Sequence, residues 1–215
     1  MEGVVTVKEE LKDFNKEAAD WDANPDRVKL AYDVADAIIR EVAPTRDLTA
    51  LDFGCGTGLV TLKLQPLVKT IVGVDNSEGM IAVLRDKIEH QRLNNIRTQI
   101  ADFQKGEHID GTYNLVVSSM TLHHVPDTAA LFRQWYTMLL PGGKVCFADL
   151  DAEDGTFHGD NKGVFHFGFD RELLKQLLRE TGFYDIHDVN AAHVTRIAQG
   201  GGKRRFPVFL ITGRK

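Results

Sequence analysis

Apolar positions along the chain follow two textures. Val28, Ala31, Ala35, Ile38 and Val42 recur at helical spacing behind Asn24, a capping residue, and Pro25, which suits a first helical turn, so an N-terminal helix is predicted there. An earlier amphipathic piece carries Phe14 and Trp21. After Pro44, short β-rich runs alternate with longer helical patterns. Thr49-Ala50-Leu51-Asp52-Phe53 reads as the first strand, and a glycine loop then opens a helix with Leu59, Leu62 and Leu64. Thr70 to Val74 is the second strand, followed by a helix from Ser77 with Met80, Ile81, Leu84 and Ile88. Ile96 to Ile100 and Tyr113 to Val117 are the third and fourth. A helix capped by Asp127 contains Leu131, Trp135 and Met138; Pro141-Gly142-Gly143 stops it and leads into Lys144 to Ala148. The last helix begins at Asp170, carries Leu173, Leu174, Leu177 and Leu178, and ends at Gly182. Two β-like runs, around Ile186 to Val189 and Phe206 to Thr212, close the chain.

Five β–α alternations predict a doubly wound, Rossmann-like α/β fold: a seven-stranded, mostly parallel sheet with helices on both faces, because parallel strands need crossovers. The final two runs are joined by Gly200, Gly201 and Gly202 with no helix, so the last strand is expected to be antiparallel. Asp151 to Gly168 has no clear periodicity, and in a compact domain so long a loop is usually functional or mobile. At 215 residues, one domain over 1–215 is the expectation. Apolar residues at 43% and charged residues at 27% are ordinary for a globular protein. No apolar run is long enough to span a bilayer, and the N-terminus does not read as a signal peptide. Cys55 and Cys146 stand far apart without zinc spacing, so a reducing, cytoplasmic location and no metal are expected. A net charge of −5 argues against nucleic acid as the main partner.

In open α/β sheets, ligands bind outside the carboxyl ends of the strands, so the residues just after each strand carry the chemistry. After the first strand stands Asp52-Phe53-Gly54-Cys55-Gly56-Thr57-Gly58, where glycines permit a tight turn and close approach of a ligand to the backbone. Asp75 follows the second strand, placed to accept hydrogen bonds from adjacent ribose hydroxyls. Asp102, beside Phe103, follows the third and can accept from an adenine amino group. Each signal has a plainer reading, a tight turn or a helix cap; their succession at three strand ends is the stronger observation. The spacing is Gly-x-Gly-x-Gly, and the third glycine of a dinucleotide fingerprint would fall on Leu59, which disfavours a nicotinamide-dependent oxidoreductase.

Residues 51–58 resemble the glycine-rich first motif of class I S-adenosylmethionine-dependent methyltransferases. Val72-Gly73-Val74-Asp75-Asn76-Ser77-Glu78-Gly79-Met80 resembles their second motif and Ala101-Asp102-Phe103 their third. Tyr113 to Ser119 with Leu122-His123-His124-Val125 resembles the fourth, and Leu140-Pro141-Gly142-Gly143 the turn before the fifth strand. The blocks run in order over positions 46 to 150, and the chain is similar to the small-molecule branch related to ubiquinone and menaquinone biosynthesis methyltransferases. The resemblance implies S-adenosylmethionine as cofactor and S-adenosylhomocysteine as product. Gly54, Cys55 and Gly56 would line the methionine and ribose portions, and Asp75 would hold the ribose. Asn76 and Met80 would line the adenine, Asp102 and Phe103 would receive its edge, and Ser118 would sit by the methionine end through its backbone. Residues 1–45 would form N-terminal helices and a lid, 46–150 the cofactor-binding core, and 151–215 a substrate-side loop and the C-terminal strands.

Methyl transfer needs orientation and exclusion of water, and a base only where the acceptor arrives protonated. His123, after the fourth strand, is the candidate base or acceptor-orienting group; local hydrogen bonding that shapes the loop is the plainer alternative. Trp21, His158 and His166 are candidates for the substrate side, with simple packing as the alternative for each. Lys203-Arg204-Arg205 reads either as a solvated turn or as a group greeting an anionic acceptor. The expected partner is a small molecule, with no nucleic acid and no membrane span; monomer and homodimer both fit. The acidic balance, and Ser118-Ser119-Met120-Thr121 where amino-directed nucleic-acid methyltransferases carry an Asn-Pro-Pro-Tyr type motif, disfavour a nucleic-acid substrate. A cofactor-binding protein without turnover stays open as a third class.

Overall fold

The computed structural model describes residues 13–102, 105, 107–197 and 202–215. Its sheet contains β1 (Thr49–Phe53), β2 (Thr70–Asp75), β3 (Ile96–Ile100), β4 (Tyr113–Ser119), β5 (Leu139–Leu150), β6 (Tyr184–Ile197) and β7 (Lys203–Arg214), in the order 3-2-1-4-5-7-6. Strands β1 to β5 pair in parallel, and β7 runs antiparallel to both β5 and β6, so six strands share one direction. The chain moves outward from β1 through β2 and β3, then returns to lay β4 on the other side of β1. That reversal opens a crevice above β1 and β4, where ligands of doubly wound sheets bind.

The helices are α1 (Phe14–Glu17), α2 (Pro25–Val42), α3 (Leu59–Leu64), α4 (Glu78–His90), α5 (Thr128–Met138) and α6 (Arg171–Thr181). Their starts follow the capping chemistry of the sequence. Side chains of Asn24, Ser77, Asp127 and Asp170 each accept a first-turn backbone N–H, at 2.8 to 3.2 Å for the shortest bond of each cap. None of the helices among the described residues is long and apolar enough to cross a membrane.

The two faces of the sheet are covered separately, and β5 shows why its sequence has no polar alternation. Val145 and Phe147 point into a core roofed by α5 and α6, while Cys146 and Ala148 point into one roofed by α2 and α3. In the first core Trp135 is fully buried, its ring 5.5 Å from Phe53, 5.6 Å from Phe132 and 5.8 Å from Phe147. Trp135→Ala is expected to cost about 3–5 kcal/mol, read as a lower urea midpoint at unchanged slope.

Several boundaries depart from the sequence expectation. Helix α5 ends at Met138, not at the Pro141 turn, because Leu139 already pairs with Tyr113 on β4. Strand β4 runs on to Ser119, and β5 continues past Ala148 through Asp149 and Leu150. The β6–β7 hairpin is much longer than its apolar runs. Pairing of β5 with β7 ends at Leu150 and Val208, but β6 and β7 stay paired out to Ile197 and Lys203. This two-stranded extension overhangs the carboxyl edge of the sheet. Val194 and Phe206 are buried in it, and Phe206 meets Phe157 of the 151–168 loop edge-on at 5.3 Å.

Candidate active site

Above the carboxyl ends of β1, β2 and β4 lies a cavity of about 290 Å³. Gly54, Cys55, Gly56, Asp75, Asn76, Met80 and Asp102 line it, as do Trp21, His123 and His158. Phe103 lies outside the described residues.

The floor is the loop after β1. Gly54 has φ +70°, and a Cβ there would fall 2.3 Å from Thr121 Oγ1 and 2.8 Å from Thr121 Cβ, so both backbone conformation and space demand glycine. At Gly56 (φ +53°), by contrast, an added Cβ would meet only Met80 Sδ at 4.0 Å, which leaves a bare shelf of backbone facing the cavity. Asp75 holds this shelf. Its carboxylate accepts from Gly56 N at 2.8 Å and from Ser77 N at 2.9 Å. Burial raises the Asp75 carboxyl, and the N–H groups of Ser77, Gly56 and Asn76 oppose the rise. Below it, burial pushes Asp52 up to about 7, against the 2.5 Å bond from Thr61 Oγ1 and with added repulsion from Asp75. Asp102, at the end of β3, pairs with Lys105 at 3.0 Å. Burial, with Asp52 and Asp75 adding to it, pushes the Cys55 thiol up, and the side chain packs against Ile81 and Leu84 of α4.

The roof is the N-terminal segment. Asn15 Oδ1 accepts from Gly79 N at 2.8 Å and Ser77 Oγ at 2.9 Å, and Asp22 accepts from Thr57 Oγ1 at 2.6 Å while pairing with Lys87. These bonds pin residues 13–23 to the first turn of α4, to Lys87 in its last turn and to the loop after β1. Trp21 is sandwiched there, with the Arg27 guanidinium 3.9 Å from its ring centre and Phe14 edge-on at 6.0 Å.

Next to this roof three imidazoles gather, with His124 edge-on to Phe14 at 5.2 Å. The His123 ring lies 4.2 Å from that of His124 and 5.0 Å from that of His158. His123 Nδ1 is 2.8 Å from Asp149 Oδ1, with both side chains buried. Asp149 also accepts from Leu150 N at 2.8 Å and His123 N at 3.3 Å. Burial would raise this carboxyl, but the charge and hydrogen bond of His123 and the two backbone donors together hold it below its ordinary value. An ionised Asp149 only accepts, so Nδ1 of His123 carries the proton of this hydrogen bond and Nε2 is the ring nitrogen left for other partners.

Two sequence candidates lie elsewhere. Ser118 is fully buried and donates to Phe53 O at 2.8 Å, tying β4 to β1, while its neighbours Ser119, Met120 and Thr121 line the cavity. The His166 side chain bonds Val125 O at 2.9 Å outside the cavity lining. Both arginines of the basic run are engaged: Arg204 grips Asp154 at 2.6 and 2.7 Å, and Arg205 bonds His193 at 2.8 Å. Sequence reasoning missed Asp149 and two cavity-lining arginines, Arg27 and Arg196. Asp149 obeys the same strand-end rule as Asp75: it directly follows Ala148, the expected end of the fifth strand, so that rule was the signal that could have found it.

Residues 50–143 match the model of a family described as methyltransferase domain. An uncharacterized methyltransferase of Schizosaccharomyces pombe is 32% identical over 135 residues, spanning 56% of this chain and 48% of that protein. The chain thus covers about half the length of that relative. A ubiquinone biosynthesis O-methyltransferase of Coxiella burnetii is 28% identical over 201 residues, spanning 92% of this chain and 82% of the other. Among solved structures, YcgJ of Bacillus subtilis superposes with a TM-score of 0.73 at 15% identity, over 86% of this chain and 98% of that one. Phosphoethanolamine N-methyltransferase 2 of Haemonchus contortus, in complex with S-adenosyl-L-methionine, gives 0.70 at 16% identity, over 95% and 60%. At these identities the structural likeness is one of fold.

Proposed function

We propose that this chain is a class I S-adenosylmethionine-dependent methyltransferase, in which the cavity above β1 and β4 delivers a methyl group to a small-molecule acceptor deprotonated by His123. The observation that carries the reading is the placement, around one cavity, of a glycine shelf, strand-end carboxylates and a buried His123–Asp149 pair.

The residues present fit the cofactor. The open space over Gly56 admits a ligand against the backbone, and Val74, Met80 and Ala101 offer apolar walls for a flat base. Gly54, Cys55 and Gly56 would receive the methionine and ribose portions, and Asp75 would accept from the ribose hydroxyls. Asn76 and Met80 would flank the adenine, with Asp102 accepting from its amino group. Ser118 would act from behind, by fixing the strand that presents Ser119 and Met120. When bound, the sulfonium supplies a methyl carbon already activated for displacement. The chain's remaining tasks are orientation, exclusion of water and removal of a proton. His123 Nε2 would take the proton of the acceptor's hydroxyl or ammonium, and Asp149 would hold the ring and offset the charge gained. Trp21 and Phe14, pinned over the opening, would keep water out.

Calorimetric titration with S-adenosylmethionine, S-adenosylhomocysteine and NADH tests the cofactor assignment. Micromolar binding of both sulfur compounds with no NADH signal is expected. Heat from NADH alone would return the chain to the dehydrogenase reading.

A further inference from the structure

The charges around the cavity are sorted by end. The carboxylates among its described lining residues are Asp52, Asp75 and Asp102, which stand at or just beyond the ends of β1, β2 and β3. On the β4 and β6 side the cavity carries His123, with the rings of His124 and His158 against it, and Arg196, while Arg27 lines it from the start of α2. A cationic cofactor suits the acidic end, which leaves the basic end to the acceptor.

The two arginines differ in one respect. Arg27 is paired with Glu17 at 2.9 Å and stacked on Trp21. Arg196 sits on the overhanging hairpin, directly opposite Arg204 in the β6–β7 register. Opposed like charges in a ladder are unfavourable unless each has its own counter-charge. Arg204 has Asp154. Arg196 enters no ion pair among the described residues, and its Nε is buried without a hydrogen-bond partner there. The guanidinium lies 5.1 Å from the centre of the Phe157 ring, another wall of the cavity. A buried guanidinium N–H without a partner costs more than most polar groups, and it is relieved when an anion accepts from it.

The geometry points to an acceptor that carries an anionic group, a carboxylate or a phosphate monoester, held by Arg196, with its apolar body against Phe157 and Trp21. Arg196 is here a specificity-determining residue at the acceptor end, and the inference rests on the methyltransferase reading of the cavity. It also reassigns the task that the basic run suggested: Arg204 organises the loop, and the arginine across the ladder meets the ligand.

Calorimetry on protein saturated with S-adenosylhomocysteine tests it with matched probes: benzoate against benzyl alcohol, and phenyl phosphate against phenol. At least one anionic member is expected to bind roughly ten- to a hundred-fold more tightly than its neutral partner, and which pair does so separates carboxylate from phosphate. In Arg196→Met the preference should vanish, while Arg196→Lys should keep part of it. S-adenosylhomocysteine affinity, measured first in each variant, reports that the fold is intact. Equal binding of the members of both pairs, no binding of either anion at millimolar concentration, or a preference undiminished in Arg196→Met would overturn the inference. Failure of the cofactor itself to bind would instead strike the methyltransferase reading.

Discussion

Asp75→Ala is expected to weaken S-adenosylhomocysteine binding by roughly two to four orders of magnitude. The ribose hydroxyls would lose two charge-assisted hydrogen bonds, each worth about 1.5–3 kcal/mol. The same carboxylate also shapes the shelf, since it accepts from Gly56 N and Ser77 N. Removing it leaves the Gly56 N–H without its partner and frees the loop where its backbone faces the cavity. Asp75→Asn keeps one accepting oxygen and the side-chain shape, so it should lie between wild type and alanine. Calorimetry ranks the three proteins, and urea unfolding separates a loosened loop from a lost fold. Affinity in Asp75→Ala within three-fold of wild type would remove this residue from the cofactor site.

Asp149→Asn is expected to lower kcat on the acceptor by roughly a hundred-fold, with little change in KM. General-base catalysis contributes about 10²–10⁴-fold. The substitution spares His123 itself and removes the charge that holds its ring and stabilises the imidazolium. Asp149 is a positioning residue, so the informative readout is the pH–rate profile: its acid limb should move to lower pH in the variant. A packing role alone would leave that limb in place. The same carboxylate ties stability to acidity. Its value in the fold lies below the ordinary 3.8, so the folded state binds that proton less readily than the unfolded chain. Its contribution is complete above the ordinary value and is lost as pH falls through the lowered one. In Asp149→Asn that share of the acid sensitivity should disappear.

How far the site was legible depends on how local its signals are. Gly54, Gly56, Asp75 and Asp102 were readable because each stands just after a strand whose apolar run announces itself. Ser118 and Ser119 show what local reading leaves open. Successive residues of a strand face opposite ways, so one position separates a hydroxyl tied to Phe53 O from one on the cavity wall, and two adjacent serines carry no mark of which is which. His166 was grouped with His158 by composition alone, yet the backbone of its loop turns its ring onto Val125 O.

The sequence by itself determined the order and kind of the elements, the helix starts at Asn24, Ser77, Asp127 and Asp170, and the glycine loop and strand-end carboxylates that line one side of the cavity. Those depend on capping groups, turn glycines and apolar periodicity, all of which act within a few residues along the chain. The acceptor end was decided only by tertiary structure. His123 and Asp149 are 26 residues apart and meet because β4 and β5 lie side by side. Arg196 reaches the cavity because β6 and β7 go on pairing beyond the edge of β5, in a stretch whose residues have no apolar alternation to announce a strand. Long-range pairing sets such placements, and it depends on what the neighbouring strand offers rather than on the residues themselves.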